Sequence, residues 1–125
     1  MTLIINGIDA VIEYLKPERI SFEDFGEVGK AYCVDLGRLG HEFFINKNDD
    51  FEEQVKAILH ELIHYHPVFL GYLESLSYSL MGAILYSDKR MESQIEKLAQ
   101  ETYNSRPDIV ERVRKAIEEA KKLEK

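Results

Sequence analysis

The chain has 125 residues, of which 45% are hydrophobic and 31% are charged. This balance is typical of one globular domain with a buried core, and it excludes disorder along the whole chain. Residues 1–15 lack a basic start and carry two carboxylates, which argues against a secretory signal, and the uncharged stretch 75–87 is too short to span a bilayer. A lone cysteine, Cys33, excludes a disulfide framework and a CxxC metal site. We therefore expect a single cytoplasmic domain over residues 1–125, with no membrane partner.

Charge narrows the partners further. The 16 basic and 23 acidic residues leave a net charge of −7, which argues against binding to nucleic acid. Residues 106–125 carry seven basic and five acidic residues, whereas the first 105 carry nine basic and 18 acidic ones. A mildly basic tail therefore follows an acidic body. It can dock on its own domain or on a second copy, or remain a solvated helix with mixed charges.

The first third of the chain predicts a short helix and three strands. Apolar spacing predicts an N-terminal helix over residues 8–15, within the segment 1–17, which Pro17 ends. Extended patterns follow at residues 19–25, 31–36 and 41–45, and Gly37 and Gly40 indicate a hairpin loop between the last two. The economical interpretation is a three-stranded antiparallel sheet.

The remainder predicts helices. Asp50 can cap a helix with Glu53 in the capping-box position, and Pro67 stops it. Residues 68–86 are apolar with poor periodicity, so they are helix or packed loop. A further helix begins at Ser87 or Asp88 and runs toward Asn104. The tail forms a last amphipathic helix opened by a proline. Its apolar positions are Ile109, Val110, Val113, Ile117, Ala120 and Leu123.

The capped helix contains an HExxH pattern over residues 60–64. Residues four apart share a helix face, so His60 and His64 can converge on one tetrahedral metal ion. Glu61 is placed to take a proton from metal-bound water, whose pKa zinc lowers toward ~7. The alternative is two histidines on the half-buried face of an ordinary helix. A glutamate on an otherwise apolar helix without metal or partner would be costly, and this favours a zinc site.

A catalytic zinc needs a third protein ligand. The metzincin arrangement would require glycine and histidine at positions that Pro67 and Leu70 occupy, so that route is closed. The gluzincin arrangement takes a glutamate from a later helix, and our choice is Glu92. Glu96 lies one turn further on the same face, where it can accept the free N–H of a zinc-bound histidine. Glu74 competes with Glu92 for the ligand role but lacks a carboxylate four residues later. The alternative is that Glu92 and Glu96 lie on a solvated acidic face of their helix.

With these motifs the sequence resembles the gluzincin metallopeptidases. In its small size the chain is most similar to the soluble minigluzincins, which are minimal scaffolds related to the CAAX-type membrane proteases. Residues 92–103 resemble the glutamate helix of ImmA/IrrE-like peptidases. The resemblance covers about residues 31–103. It implies an α+β zincin-like fold, with the sheet packed on the HExxH helix and the glutamate helix. It also implies a rim strand, 31–36 or 41–45, that binds an extended peptide by strand addition, and zymogen-like latency in some members.

The expected activity is zinc-dependent endopeptidase cleavage of an extended peptide or unfolded protein. Glu61 would act as general base and then pass the proton to the leaving amine. The oxyanion donor stays open among four tyrosines. A regulatory zinc-binding module that acts through protein binding or self-association is the alternative function, and another zinc hydrolase is a third. The tyrosine candidates are Tyr72, Tyr78, Tyr86 and Tyr103.

Three other residues and the tail have simpler expected roles. His41 begins a strand and is expected at a rim or surface, and His66 points away from the metal face. Cys33 alternates with its strand neighbours and is expected to be a small buried side chain. The tail helix can pack on its own domain, close the cleft, or support self-association.

Overall fold

The computed structural model describes residues 7–26, 40–64 and 92–124 in full, and the backbone of residues 31–35 and 84–91. The chain begins with a short helix, α1 (Asp9–Ile12), and a 3-10 turn (Pro17–Arg19). Three strands follow: β1 (Ile20–Glu23), β2 (Ala31–Asp35) and β3 (His41–Asn46). Three longer helices complete the order: α2 (Phe51–His64), α3 (Ile84–Ser105) and α4 (Pro107–Leu123). The architecture is α+β, as expected.

The three strands form one sheet in the order β1-β3-β2, but the sheet is mixed. The hairpin prediction is confirmed, because β2 pairs antiparallel with β3, with Cys33 opposite Phe43. The antiparallel prediction for β1 is wrong, since β1 runs parallel to β3. The central strand carries Phe43 and Ile45, at most 1% exposed. Placing it between the other two pairs its backbone on both edges while these side chains enter the core.

The start of α2 is built as the sequence predicts. The Glu53 amide donates to Asp50 Oδ1 at 2.9 Å, which is the capping bond expected of an aspartate in this position. One turn in, Gln54 is buried and its Nε2 donates to the carbonyl oxygen of Asn46 at 3.0 Å. The helix carrying the HExxH pattern is therefore joined directly to the end of the central strand.

The apolar faces of the helices meet in one core. Along α2, every apolar position predicted at helical spacing is at most 1% exposed. The apolar face of α4 is buried in the same cluster, so the tail packs on its own domain, with Leu123 exposed beyond it. The buried α2 positions are Val55, Ile58, Leu59, Leu62 and Ile63, and those of α4 are Ile109, Val110, Val113, Ala116, Ile117 and Ala120.

The basic tail also docks on the acidic body through ion pairs. Arg106 Nη2 lies 3.0 Å from Asp9 Oδ1, close to the start of α4. Two turns further on, Arg114 Nη2 lies 2.6 Å from Glu52 Oε1 of α2. The charge imbalance between tail and body is thus used within the molecule, in addition to the apolar packing.

Two helix boundaries differ from expectation. The first helix is shorter than residues 8–15, because regular helix ends at Ile12 and the chain turns before Pro17. The glutamate helix begins at Ile84, earlier than Ser87 or Asp88. A cap-type residue permits a helix start without requiring it, so apolar residues upstream can extend the helix. The predicted stop at Pro67 and most of the ambiguous stretch 68–86 lie outside the described residues. No helix in the described ranges has the length and apolarity to cross a bilayer.

Candidate metal centre

The candidate centre lies between α2 and α3, which run in opposite directions. His64, at the end of α2, meets Glu92 in the first half of α3, whereas Glu52, at the start of α2, meets Tyr103 near the end of α3. Between these contacts, His60 faces both Glu92 and Glu96. The antiparallel arrangement therefore brings the HExxH histidines and the two predicted glutamates together, although 28 to 36 residues separate them along the chain.

The three predicted metal ligands converge. His60 Nε2 lies 2.8 Å from Glu92 Oε2, and His64 Nε2 lies 3.0 Å from Glu92 Oε1. The two Nε2 atoms are 3.2 Å apart. One ligand atom from each residue can be chosen so that all lie within 4.8 Å of one another, and no second group of this kind occurs in the described parts of the chain. The carboxylate thus spans the two imidazoles, with one oxygen toward each.

The separation of the two histidine nitrogens matches the donor geometry of a tetrahedral metal site. Zinc–nitrogen bonds of about 2.0–2.1 Å at a tetrahedral angle place two ring nitrogens about 3.3 Å apart. The observed Nε2 separation is 3.2 Å. Two imidazole nitrogens and one carboxylate are also a donor set that catalytic zinc uses, with a fourth position for water or substrate. The residues present therefore fit a zinc ion.

Glu96 orients one of the two histidines. Its Oε1 hydrogen-bonds His60 Nδ1, so the sequence ambiguity over which histidine it contacts is resolved in favour of His60. An ionised carboxylate accepts only, so the hydrogen bond to Glu96 places a proton on His60 Nδ1, while Nε2 faces Glu92 and His64. This is the carboxylate–histidine pairing that commonly orients a zinc ligand.

The general-base candidate Glu61 is half-buried beside this group. Burial raises the pKa of Glu61 to about 7; the charge of His60 opposes the rise and that of Glu92 adds to it. A carboxyl with a pKa near neutrality can accept and return a proton at working pH. Burial likewise lowers the pKa of His64, which favours the neutral imidazole that a metal ligand requires.

One of the four oxyanion candidates is engaged elsewhere. The Tyr103 hydroxyl donates to Glu52, and Tyr103 lies 11 residues, about 16 Å of helix, from Glu92. Its assignment as the oxyanion donor is therefore not supported. Tyr72 and Tyr78, and the side chain of Tyr86, lie outside the described residues. The same holds for the competing ligand Glu74 and for His66.

Two other predicted residues, His41 and Cys33, lie on the sheet. His41 is half-buried and stacks on Tyr14, with ring centroids 4.5 Å apart and planes 9° from parallel. Tyr14 is itself 38% exposed, so the rim position expected for His41 agrees with its surroundings. His41 is not a member of the metal group. Only the backbone of Cys33 is described, on β2.

Sequence reasoning missed a second polar cluster, which we call the clamp: Glu52 of α2, Tyr103 of α3 and Arg114 of α4. Glu52 accepts the Tyr103 hydroxyl and two bonds from Arg114, from Nε at 3.2 Å and from Nη2 at 2.6 Å. The hydrogen bonds from Arg114 and from Tyr103 lower the pKa of Glu52. The bond between Tyr103 and Glu52 also raises the pKa of Tyr103. The available signal was periodicity, because Tyr103 lies on the same face of α3 as Glu96 and Glu92, seven and 11 residues away.

Comparisons with models of known families, with curated proteins and with solved structures find no match to this chain. The assignment of function therefore depends on the geometry of the centre and on the chemistry of its residues.

Proposed function

We propose that the protein is a zinc-dependent endopeptidase with a minimal zincin-like fold of the gluzincin type. The observation that carries the proposal is the convergence of His60 Nε2, His64 Nε2 and the Glu92 carboxylate, with nitrogens 3.2 Å apart. Two imidazole nitrogens and one carboxylate in such contact form a donor set that a zinc ion can bind. Glu61 stands next to His60 in the chain with a pKa of about 7, suited to proton transfer.

Each residue of the centre has its own proposed role in the reaction. His60, His64 and Glu92 would hold a zinc ion, which would supply Lewis-acid chemistry for a peptide carbonyl and for a water molecule. Glu61 would accept a proton from water as general base and return it to the leaving amine. Glu96 holds the His60 ring through Nδ1, so Nε2 is directed toward the centre. Glu92 contributes charge as well as ligation, since its oxygens face both histidines.

The substrate we propose is an extended peptide or a segment of unfolded protein. Of the two candidate rim strands, β3 is paired on both sides and has no free edge for strand addition. β2 pairs with β3 on one side only among the described strands, so its outer edge is the better candidate. Main-chain hydrogen bonds from such an edge bind peptides with little dependence on their sequence.

The test compares wild type with Glu61→Gln, a variant of the same shape that cannot act as base. Both are loaded with zinc, and the metal content is measured by elemental analysis. Cleavage of an unfolded protein substrate is then followed by mass spectrometry. We expect zinc to be retained and cleavage to fall by about 10²–10⁴-fold. Glu101→Gln, which changes an exposed glutamate on α3, is the matched control and should cleave like wild type.

Two outcomes contradict the proposal. If wild type binds no zinc, the ligand set is wrong. If wild type binds zinc but cleaves no unfolded protein, and trimming either terminus does not release activity, the peptidase assignment fails. The alternative function, a regulatory zinc-binding module, then takes its place. The terminal trimming also tests latency caused by a flanking segment.

A further inference from the structure

The clamp and the metal group lie at opposite ends of one helix pair and share its register. Moving eight residues along α2, from Glu52 to His60, corresponds to moving seven residues back along α3, from Tyr103 to Glu96. At 1.5 Å per residue these steps are about 12 Å and about 10 Å. A contact that holds Tyr103 against Glu52 therefore also holds Glu96 opposite His60.

Axial register matters more at a metal centre than in an apolar core. Metal–ligand distances tolerate about 0.2 Å, whereas sliding a helix by one residue moves its side chains by about 1.5 Å. The buried faces of α2 and α3 set the spacing of the helices, and their interdigitated side chains favour one register. Directional bonds add to this packing in holding the axial position.

Before zinc binds, the contacts within the metal group contribute only weakly to that hold. The side chains of Glu92 and Glu96 are 51% and 70% exposed, and exposed ion pairs contribute little to stability. The clamp is better built, because Glu52 accepts two guanidinium bonds and one hydroxyl bond at once. Lys56 Nζ also lies 5.0 Å from the Tyr103 ring centroid, which adds a contact between the same two helices.

We propose that Glu52, Tyr103 and Arg114 are positioning residues of the zinc site, which set the register of α3 against α2 and so place Glu92 and Glu96 at the histidines. This inference rests on the proposed zinc site. It assigns the tail helix a role in that site, because Arg114 of α4 holds the carboxylate that in turn holds Tyr103.

The experiment removes one hydroxyl. Tyr103→Phe keeps the ring and its contact with Lys56 but loses the bond to Glu52. Zinc affinity is measured by competition with a chromophoric chelator, and we expect a loss of about threefold, smaller than the 10–100-fold seen when a direct outer partner of a metal ligand is removed. The same substitution in a Glu92→Ala/Glu96→Ala background should change affinity little, because Tyr103 acts through these two glutamates. The matched control is Arg106→Ala, which breaks the ion pair of α4 with Asp9 and leaves the clamp intact.

A readout without metal separates this inference from the proposed function. In the zinc-free protein, ¹⁵N shifts of the His60 ring report whether Nδ1 keeps its hydrogen bond to Glu96. Tyr103→Phe should weaken this hydrogen-bond signature, whereas Arg106→Ala should not. Unchanged shifts and unchanged affinity in Tyr103→Phe overturn the clamp, as do equal effects in the two variants. If wild type binds no zinc, the function fails, while the His60 shifts still decide the register.

Discussion

The two ends of the α2–α3 pair use similar residue types for opposite purposes. At the clamp, donors meet acceptors: the Glu52 carboxylate receives a guanidinium and a hydroxyl, and the charges cancel. At the other end the Glu92 carboxylate lies against two imidazole nitrogens, the Nε2 atoms of His60 and His64, which are 3.2 Å apart. The clamp pairs a guanidinium with a carboxylate, whereas the second group brings together three side chains that can each act as a metal ligand. This difference supports the proposal that the second group binds a metal ion.

The carboxylates at the two ends differ in exposure. The Glu52 side chain is 40% exposed, against 51% for Glu92 and 70% for Glu96. Half-buried histidines beside exposed glutamates leave a face open to solvent. The proposed peptidase site would need such a face to receive a peptide, whereas the clamp does not.

The strongest test of this comparison removes a histidine. His64→Ala should lower zinc affinity by more than about 100-fold, beyond the range for outer partners, because one of three ligands is lost. His64 is partly exposed at 27%, so the fold should survive. Chelator competition measures the affinity. His41→Ala, which alters a histidine outside the group, should bind zinc like wild type, and equal losses in the two variants would argue against the centre.

Much of this centre could be predicted from the sequence because its signals are local. His60, Glu61 and His64 lie within one helical turn, and the spacing of Glu92 and Glu96 places them on one face. The partner of Glu96 could not be chosen, since that choice depends on how α3 is placed against α2.

The sheet order and the clamp were harder to predict from the sequence, for the same reason. The pairing of β1 with β3 skips a strand in sequence, and a hairpin signal exists only between β2 and β3. Glu52 and Arg114 are 62 residues apart in the sequence, and each one taken alone is expected to be a surface charge. Only tertiary packing brings them to Tyr103.

The next test concerns the carboxylate behind the ligand. Glu96→Ala should lower zinc affinity by about 10-fold, since outer partners contribute 10–100-fold and this side chain is 70% exposed. The stability of the zinc-free protein should change little. Chelator competition and urea unfolding measure the two quantities. Glu101→Ala on the same helix is the control, and a loss of affinity in that variant would point to a general charge effect.

Glu61, the proposed general base, should lower the free energy of unfolding, and its replacement by glutamine should remove this loss. The pKa of Glu61 rises on folding from about 4.5 to about 7, so between these pH values the unfolded chain releases a proton that the folded chain keeps. Stability from this group is therefore present below pH ~4.5 and lost as pH rises toward 7. Zinc-free Glu61→Gln should be about 1–2 kcal/mol more stable than wild type at pH 7.5, with the advantage shrinking toward pH 4.5. Urea unfolding in chelator measures the difference, and a constant difference across this range would contradict it.

The smallest expected effect concerns the clamp, and its dependence of stability on pH has the opposite sign to that of Glu61. Hydrogen bonds from Arg114 and Tyr103 lower the pKa of Glu52, so its contribution is present above pH ~4.5 and is lost as pH falls through the lowered value. Because the side chain is 40% exposed, solvent screens the interaction, and Glu52→Gln should cost less than about 1 kcal/mol at pH 7. The variant should then lose less stability than wild type between pH 5 and pH 3. Glu101→Gln should keep the wild-type acid dependence, and the same dependence in Glu52→Gln would mean that the clamp carboxylate is not held by its partners.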